Sequence, residues 1–197
     1  MGEREFQLLS QLIIRAPEHT LLDVGCGTGY FTRRFAENAG TTVVGLDVDA
    51  AAIQFAAKRS PSIQFVVGDG GRLPFSDRAF DAVIAVTSLG FMKDSMQAVR
   101  EMCRVARYQV TLGLLNKSSL LFLKKGRSGG KGGYAGACWH SGGDAKVFLN
   151  AAGCKNVQVK SALFWPTESL LPSWLDQRFP FNAFGGFLVA TGSLNHA

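Results

Sequence analysis

The segment "LLDVGCGTGYF", Leu21–Phe31, places three glycines directly after an apolar run that carries one carboxylate. The apolar run is typical of a buried strand. Glycine lets the backbone adopt positive φ and lets a ligand approach without an intervening Cβ. In an open parallel sheet, ligands bind beyond the carboxyl ends of the strands. The segment therefore predicts a strand-to-helix turn with a ligand site at Gly25, Gly27 and Gly29.

Strands and helices alternate along the chain on both sides of this turn. The predicted strands lack a strict polar alternation, which indicates burial on both faces of a sheet. Alternating strands and helices predict an α/β fold, Rossmann-like and doubly wound, with helices on both faces of a mostly parallel sheet. Helices are predicted at 3–14, 30–38, 50–58, 95–106 and 142–154, and strands at 20–24, 41–49, 63–69, 79–88, 109–116, 157–165 and 185–193.

Two irregular segments interrupt the alternation in the second half of the chain. Residues 117–141 and 166–183 show no clear period, and the first of them is rich in glycine. A chain of 197 residues is the size of one ordinary domain. Long insertions without regular structure in a compact domain are usually functional or disordered. We therefore expect a single domain, 1–197, in which both insertions are lid or acceptor-site elements.

Composition narrows the class of protein. The net charge is +6 and four cysteines occur, none at metal-binding spacing and none in a CxxC pair. This cysteine usage predicts reduced thiols, no metal site and a cytoplasmic location. No run of 18 apolar residues occurs, so we expect no membrane span.

The acid before the glycines bears on the kind of ligand. Asp23 stands two residues before Gly25, and the glycine spacing is G-x-G-x-G rather than G-x-G-x-x-G. The second spacing is the dinucleotide pattern, and a carboxylate beside it would repel a pyrophosphate. A ligand with an ammonium and a carboxylate fits better, because the carboxylate can face the helix N-terminus. An amino acid joined to a nucleoside is such a ligand.

Two further acids end the next two predicted strands. Asp47 can accept hydrogen bonds from both hydroxyls of a ribose, and Asp69 can accept one from an exocyclic amine such as that of adenine. Val48 and Val86 can enclose a flat base between apolar side chains. The predicted cofactor-binding residues are Asp23, Gly25, Cys26, Gly27, Gly29, Asp47, Val48, Gly68, Asp69, Gly70 and Val86.

Four sequence motifs resemble those of one enzyme family. The motifs "LLDVGCGTGYF", "VVGLDVD", "FVVGDGGRLPFSDRAFDAVIAV" and "EMCRVAR" are similar to the successive motifs of class I S-adenosylmethionine-dependent methyltransferases. The closest group is the small-molecule one that includes quinone-biosynthesis enzymes (methyltransferase type 11). The resemblance covers about residues 21–104, and "RVARYQV" departs from the family's usual "RVLKPGG".

The resemblance implies a fold, a cofactor and residue roles. The implied fold is a seven-stranded sheet whose last strand is antiparallel, and the implied cofactor is S-adenosylmethionine. The glycine turn would contact the methionine part, Asp47 the ribose and Asp69 the adenine amine. The implied reaction is in-line methyl transfer to a small, partly apolar acceptor, which depends mainly on alignment and exclusion of water.

Candidates for an acceptor site lie in the insertions. Tyr134, Trp139 and His140 close the first insertion, and His140 is the weak candidate for a general base. Six aromatic side chains of the second segment fit an acceptor pocket, cover for the sheet edge, or a homodimer contact. They are Phe164, Trp165, Trp174, Phe179, Phe181 and Phe184.

Three other functions are weighed against methyl transfer to a small molecule. An NAD(P)-dependent oxidoreductase is disfavoured by Asp23 and the glycine spacing. A catalytically silent module that binds S-adenosylmethionine stays open, because the predicted turn before strand five is rebuilt. The basic loop at 124–133 allows an RNA methyltransferase, but its cations are not interleaved with aromatic residues. The sequence also lacks the D/N-P-P-Y/F motif and the Pro-Cys nucleophile of DNA methyltransferases, so we expect no nucleic-acid substrate.

Overall fold

A computed structural model describes residues 3–13, 19–39, 41–162 and 185–194 of the chain. Helices and strands alternate through most of these residues. The helices are α1 (Glu3–Leu12), α2 (Tyr30–Ala39), α3 (Ala50–Arg59), α4 (Ser95–Val105) and α5 (Gly142–Ala151), and the strands are β1 (Thr20–Val24), β2 (Thr42–Asp47), β3 (Gln64–Val67), β4 (Phe80–Val86), β5 (Ala106–Leu115), β6 (Lys155–Ala162) and β7 (Phe187–Ser193).

The strands form one sheet of seven, in the order β3-β2-β1-β4-β5-β7-β6. Strands β1 to β5 pair in parallel, whereas β7 runs antiparallel to both β5 and β6. The predicted fold, including the antiparallel last strand, is confirmed. The strand order reverses at β1, which pairs with β2 on one side and β4 on the other. Such a switch point leaves a crevice at the carboxyl ends of the strands.

Apolar side chains bury both faces of the sheet. Neighbouring residues of β1 serve opposite faces, since Leu21 packs with Phe6 and Phe35 of α1 and α2, and Leu22 packs with the α4 and α5 side. Strand β4 is buried at all seven positions. The two buried faces account for the apolar strands of the sequence.

The predicted turn at the end of β1 is tight and left-handed. Gly25, Gly27 and Gly29 have φ values of 74°, 53° and 77°, which L-residues with a side chain seldom adopt. The N–H groups of Gly25 and Cys26 both donate to the carbonyl oxygen of Leu46, at 2.7 and 3.0 Å. The ends of β1 and β2 are thereby fixed to each other, and α2 begins at Tyr30.

The first insertion, 117–141, folds back on the end of β4. It contains a short π-helical turn, Phe122–Gly126, and a 3-10 turn, Gly132–Tyr134. The N–H of Cys138 donates to the carbonyl oxygen of Gly90 at 2.7 Å, within the 3-10 turn Leu89–Phe91. The second predicted insertion, 166–183, lies outside the described residues, as do its aromatic side chains.

Strand β5 begins earlier than the sequence predicts. It starts at Ala106 rather than Gln109, so α4 passes directly into β5 without a loop. The departure from the family pattern at "RVARYQV" falls at this junction. Within the described ranges, no helix is both long enough and apolar enough to cross a bilayer.

Candidate functional site

A cavity of about 500 Å³ lies at the carboxyl ends of β1, β2 and β4 and the segment after β3. This position is the crevice that the switch in strand order creates. Its wall combines two carboxylates, several glycines and an apolar side. The wall consists of Gly25, Leu46, Asp47, Val48, Gly68, Asp69, Gly70, Val86, Thr87, Ser88, Phe91, Met92 and Lys93.

Most of the predicted cofactor-binding residues meet in this wall. Those that do are Gly25, Asp47, Val48, Gly68, Asp69, Gly70 and Val86. Asp23, Cys26, Gly27 and Gly29 lie outside the wall. The site prediction missed the side that follows β4, from Thr87 to Lys93. The rule that places ligands beyond strand ends applies to β4 as well, so the signal for this side was present in "VTSLGFMK".

Asp47 supports the glycine turn from the end of β2. One carboxylate oxygen accepts from the N–H of Gly27 at 2.7 Å, and the other accepts from the N–H of Asp49 at 2.9 Å. An ionised carboxylate has about four acceptor positions, so two protein donors leave capacity for a ligand. Asp47 is therefore held in place and still able to bind hydroxyl groups.

Asp69 is the more exposed of the two carboxylates in the wall. Its Oδ1 accepts from the N–H of Gly71 at 2.8 Å. Its Oδ2 makes no hydrogen bond to any described residue. Both neighbours of Asp69 are glycines, and a Cβ on Gly70 would lie 3.1 Å from Met92 and from Val24, so the backbone beside Asp69 packs closely on the body of the protein. An acceptor with one unused oxygen suits an N–H donor of a bound ligand.

Asp23 lies beneath the turn rather than in the cavity wall. Its side chain is 1% exposed, and its Oδ2 accepts from the hydroxyl of Thr32 in α2 at 2.7 Å. Burial raises the pKa of Asp23 to about 7. The neighbouring thiol of Cys26 is also affected, because burial and the carboxylates of Asp23 and Asp47 raise its pKa. A protonated, half-buried thiol at this position is not a nucleophile.

Gly29 and Gly25 are required by close packing. A Cβ on Gly29 would lie 3.0 Å from the ring of Phe65, which covers the glycine turn. A Cβ on Gly25 would lie 2.3 Å from the Cβ of Ser88. The hydroxyl of Ser88 donates to the carbonyl oxygen of Val24 at 2.6 Å. The ends of β1 and β4 therefore approach each other more closely than any side chain on Gly25 would allow.

Thr87 has a strained backbone at the cavity. Its φ is 58°, an uncommon value for a β-branched residue. Its N–H donates to the carbonyl oxygen of Gly113 at 2.7 Å, and its hydroxyl donates to the carbonyl oxygen of Val86 at 2.7 Å. Such strain costs on the order of 1–3 kcal/mol and is concentrated at functional sites.

The loop after Asp69 is bound to α4 by one arginine. The guanidinium of Arg104 donates to the carbonyl oxygens of Leu73 and Phe75 and to the carboxylates of Asp77 and Glu101, at 2.8–3.1 Å. Glu101 in turn accepts from the N–H of Leu73 at 2.9 Å. The hydrogen bond from Arg104 lowers the pKa of Glu101. Because this loop follows Asp69 directly, the network fixes one side of the cavity.

The three predicted acceptor residues lie in the first insertion but not in the cavity wall. The ring of Trp139 packs against Tyr134 and Phe122, with centroids 5.4 and 5.5 Å apart. His140 is 9% exposed, and its ring packs edge-on against Phe148 at 5.2 Å. Burial lowers the pKa of His140. The Nε1 of Trp139 and the Nε2 of His140 are buried with no hydrogen-bond partner among the described residues. A role of His140 as a base stays a prediction.

A model of one protein family matches the part of the chain that forms the cavity. Residues 22–112 match the model described as a methyltransferase domain. The match covers a little under half of the chain and includes the ends of β1, β2 and β4 that line the cavity. The predicted resemblance to class I S-adenosylmethionine-dependent methyltransferases is thereby confirmed. The family match gives no support to the oxidoreductase alternative.

Curated relatives of the methyltransferase domain match about half of the chain. The demethylmenaquinone methyltransferase of Renibacterium salmoninarum is 35% identical over 101 residues, which cover 51% of this chain and 42% of that protein. Methyltransferase GfsG of Streptomyces halstedii is 35% identical over 112 residues, which cover 54% of this chain and 40% of that protein. The matched part thus spans less than half the length of either relative.

Solved structures share the fold over nearly the whole chain. A methyltransferase from Thermotoga maritima that depends on S-adenosylmethionine superposes with a TM-score of 0.78 and 22% identity, over 97% of this chain and 88% of that one. At such identity the likeness concerns the fold. The family and fold together imply S-adenosylmethionine as the cofactor. The two carboxylates of the cavity wall suit the hydrogen-bond donors of its sugar and base. The glycines leave room for its methionine part, and the apolar side of the cavity suits the faces of its base.

Proposed function

We propose that this protein transfers the methyl group of S-adenosylmethionine to a small, partly apolar acceptor. The observation that carries the proposal is the convergence of Gly25, Asp47 and Asp69 on one cavity within the stretch that matches the methyltransferase model. S-adenosylmethionine supplies a methyl group on a positively charged sulfur. The protein's task is then to align the two reactants and exclude water, which contributes about 7–11 kcal/mol in well-oriented reactions.

The proposed role of each wall residue follows from its chemistry. Asp47 accepts hydrogen bonds from the ribose hydroxyls, and the unused Oδ2 of Asp69 accepts one from the adenine amine. Val48 and Val86 contact the faces of the base. The backbone after β1 contacts the methionine part of the cofactor. Asp23, from its buried position, acts as support for the turn.

We propose an apolar acceptor because Phe91 and Met92 line the same cavity as Asp47 and Asp69. The names of relatives support this class, since demethylmenaquinone methyltransferase occurs among them. In this proposal the chain is one domain, residues 117–141 and 166–183 contribute to the acceptor site, and Tyr134 and Trp139 form part of it. A cytoplasmic location and a homodimer stay predictions.

Calorimetric titration with S-adenosylhomocysteine, the demethylated product, tests the cofactor site. We expect the wild type to bind it and to bind NADH far more weakly. Asp47→Asn replaces a charged acceptor, so its affinity should fall roughly tenfold or more. Asp49→Asn is the matched control, because Asp49 caps α3 outside the cavity wall and asparagine caps a helix equally well. Equal affinities of the two variants, or a preference for NADH, would contradict the proposal.

Turnover separates the enzyme from a silent binding module. Methyl-labelled cofactor is incubated with the protein and a set of apolar hydroxyl and carbon acceptors, including a reduced demethylated naphthoquinone. We expect a labelled product that the Asp47→Asn variant forms more slowly at limiting cofactor. Binding of S-adenosylhomocysteine without any labelled product would identify the protein as a binding module instead.

A further inference from the structure

The first insertion presents a surface of one charge sign. Five basic side chains lie between residues 117 and 143 and no acidic residue does. All five are exposed: Lys117, Lys124, Lys125, Arg127 and Lys131. The chain as a whole carries a net charge of +6, so most of the excess positive charge is concentrated on the lobe formed by the first insertion, residues 117–141. Such concentrated charge attracts an anionic partner.

Exposed leucines stand directly beside these cations. Leu120 is 41% exposed and Leu123 is 48% exposed, although both are large aliphatic residues. Leu120, Leu123 and Lys124 stand at i, i+3 and i+4 in a helical turn that runs from 120 to 126, and Arg127 follows this turn in an extended conformation. Residues at this spacing lie on one side of a helical turn. The turn therefore shows two leucines and Lys124 on one exposed side, with the exposed Lys125 and Arg127 next to them in the chain.

The opposite face of the same turn is anchored in the protein. Phe122 packs against Trp139, with ring centroids 5.5 Å apart, and its N–H donates to the hydroxyl of Ser119 at 3.0 Å. A Cβ on Gly126 would lie 2.2 Å from the ring of Phe122 and 2.9 Å from that of Trp139. Because these contacts fix the inner face, Leu120 and Leu123 point outward as part of a folded lobe.

The lobe is also joined to the mouth of the cavity. The backbone N–H of Cys138 donates to the carbonyl oxygen of Gly90 at 2.7 Å, and Phe91, the residue after Gly90, belongs to the cavity wall. Phe91 is itself 52% exposed. The first insertion, which carries the basic face, therefore contacts the turn Leu89–Phe91 beside the cavity.

We propose that the face formed by Leu120, Leu123, Lys124, Lys125 and Arg127 docks on the surface of a bilayer that contains anionic lipids. Leucines that enter the acyl boundary beside lysines that contact lipid headgroups are the features of an interfacial segment. Docking would place the cavity mouth next to the apolar phase. That consequence rests on the proposed function, because it assumes an apolar acceptor, whereas the docking itself does not.

The leucines distinguish a membrane from an acidic protein as the partner. A purely acidic protein surface attracts the cations, and it would use the two leucines only if it also presented an apolar patch beside its acids. A bilayer uses both, since apolar burial and attraction to anionic headgroups add to each other. Attraction to the headgroups alone would depend only on the lysines and the arginine.

Sedimentation with lipid vesicles tests the docking. We expect the wild type to bind vesicles of mixed phosphatidylcholine and phosphatidylglycerol, and to bind phosphatidylcholine vesicles far more weakly. Lys124→Glu combined with Lys125→Glu should reduce the partition coefficient at least about tenfold, because each cation near the surface contributes about 1 kcal/mol. Leu120→Ser combined with Leu123→Ser should reduce it by about tenfold as well.

The matched control reverses the charge of two basic residues on α3, at the β3 edge of the sheet. Lys58→Glu combined with Arg59→Glu changes exposed side chains at the end of α3 and should leave the partition coefficient unchanged. Affinity for S-adenosylhomocysteine is measured for every variant and should stay within about twofold, which also shows that each variant is folded. If the wild type binds anionic vesicles but does not bind S-adenosylhomocysteine, the docking stands and only the proposed function is rejected.

Three outcomes would overturn the docking. The wild type does not bind the anionic vesicles, or the control variant loses binding as much as the lysine variant does. In the third, the lysine variant loses binding while the leucine variant keeps it, which would identify a purely electrostatic partner such as an acidic protein.

Discussion

Three carboxylates near the glycine turn have different surroundings, and these decide what each can do. Asp23 is buried against Thr32, Asp47 holds two backbone N–H groups, and Asp69 has one unused oxygen. From their spacing in the sequence, all three are predicted to be acids at the ends of successive strands. Spacing locates a residue along its strand, but the burial of its side chain depends on which helix packs above it. The sequence therefore placed Asp47 and Asp69 at the cavity and could not show that α2 covers Asp23.

The buried position of Asp23 predicts an unusual dependence of stability on pH. Its pKa in the folded protein is about 7, raised by burial from an ordinary value of 3.8. The unfolded chain therefore loses this proton first, and the contribution of Asp23 to stability falls between about pH 4 and pH 7. Asp23→Asn removes the ionisation. We expect the free energy of unfolding of the wild type, relative to this variant, to fall by about 2–3 kcal/mol between pH 5 and pH 8.

Denaturant unfolding of both proteins across this pH range measures the difference. Subtraction removes the carboxyls of Asp81, Glu101 and Asp144, whose pKa values are lowered and whose contributions are lost only in acid. Asp94→Asn at the exposed cap of α4 is the control, and its profile should run parallel to that of the wild type. Parallel profiles for the wild type and Asp23→Asn would mean that Asp23 ionises as it does in the unfolded chain.

The segment after β3 depends on α4 for its position. Leu73, Phe75 and Asp77 all accept hydrogen bonds from Arg104, which comes from the motif "EMCRVAR" quoted for the family resemblance. Sequence comparison identified the motif but gave no reason for its arginine. The reason is tertiary, because three of its five hydrogen bonds join residues 27 to 31 positions apart in the chain. Local patterns cannot predict such a bond.

Replacement of this arginine tests the link between α4 and the cavity. Arg104→Lys keeps the charge but loses the planar fork that contacts two carbonyls and two carboxylates. We expect the free energy of unfolding to fall by about 1–2 kcal/mol, discounted because Arg104 is partly exposed. The affinity for S-adenosylhomocysteine should fall several-fold, since the loop that begins at Asp69 loosens.

The control for this variant lies on the same helix. Arg100 is exposed and makes no ion pair with a described residue, so Arg100→Lys should change stability by less than about 0.5 kcal/mol. Chemical denaturation and calorimetry of both variants give the comparison. Unaltered cofactor affinity in Arg104→Lys would show that the loop holds its position without the arginine.

The start of β5 shows where periodicity fails as a guide. Arg107 and Tyr108 are exposed, so the first residues of the strand lack the apolar run that predicted the rest. Contacts with the neighbouring strand determine where β5 begins. Ala106 pairs with Phe80 across a bulge, and Arg107 forms an ion pair with Asp81 at 2.7 Å. Sequence patterns report burial, whereas a strand end is set by its neighbour in the sheet.

The fold as a whole combines a predictable half with a half that depends on distant contacts. Residues 20–116 alternate strand and helix except between β3 and β4, which an irregular segment joins, and right-handed crossovers then leave few topologies. The order β5-β7-β6 joins segments far apart in the chain, and only the family resemblance predicted that the last strand is antiparallel. The first insertion had no predicted structure, since its turns are fixed by Trp139 and by the bond from Cys138 to Gly90.

The hydrogen bond from the N–H of Cys138 to the carbonyl oxygen of Gly90 attaches the first insertion to the rest of the protein. A Cβ on Gly90 would lie 2.2 Å from the carbonyl oxygen of Cys138, so Gly90→Ala must push the two backbones apart. We expect trypsin to cleave at Lys124, Lys125 and Arg127 roughly tenfold faster, because loss of a buried contact worth about 1–2 kcal/mol raises the population of the open lobe. Affinity for S-adenosylhomocysteine should change less than about threefold, since Asp47 ends β2 and Asp69 follows β3, whereas Gly90 follows β4.

Gly133→Ala provides the matched control within the same lobe. An added Cβ there meets no atom within 4 Å and its φ is not left-handed, so cleavage should proceed at the wild-type rate. Digestion is followed by mass spectrometry, with cofactor affinity measured on the undigested proteins. If Gly90→Ala loses cofactor binding and lobe protection together, the insertion and the cofactor cavity are one cooperative unit. Loss of protection alone means that the lobe opens independently of the cofactor cavity.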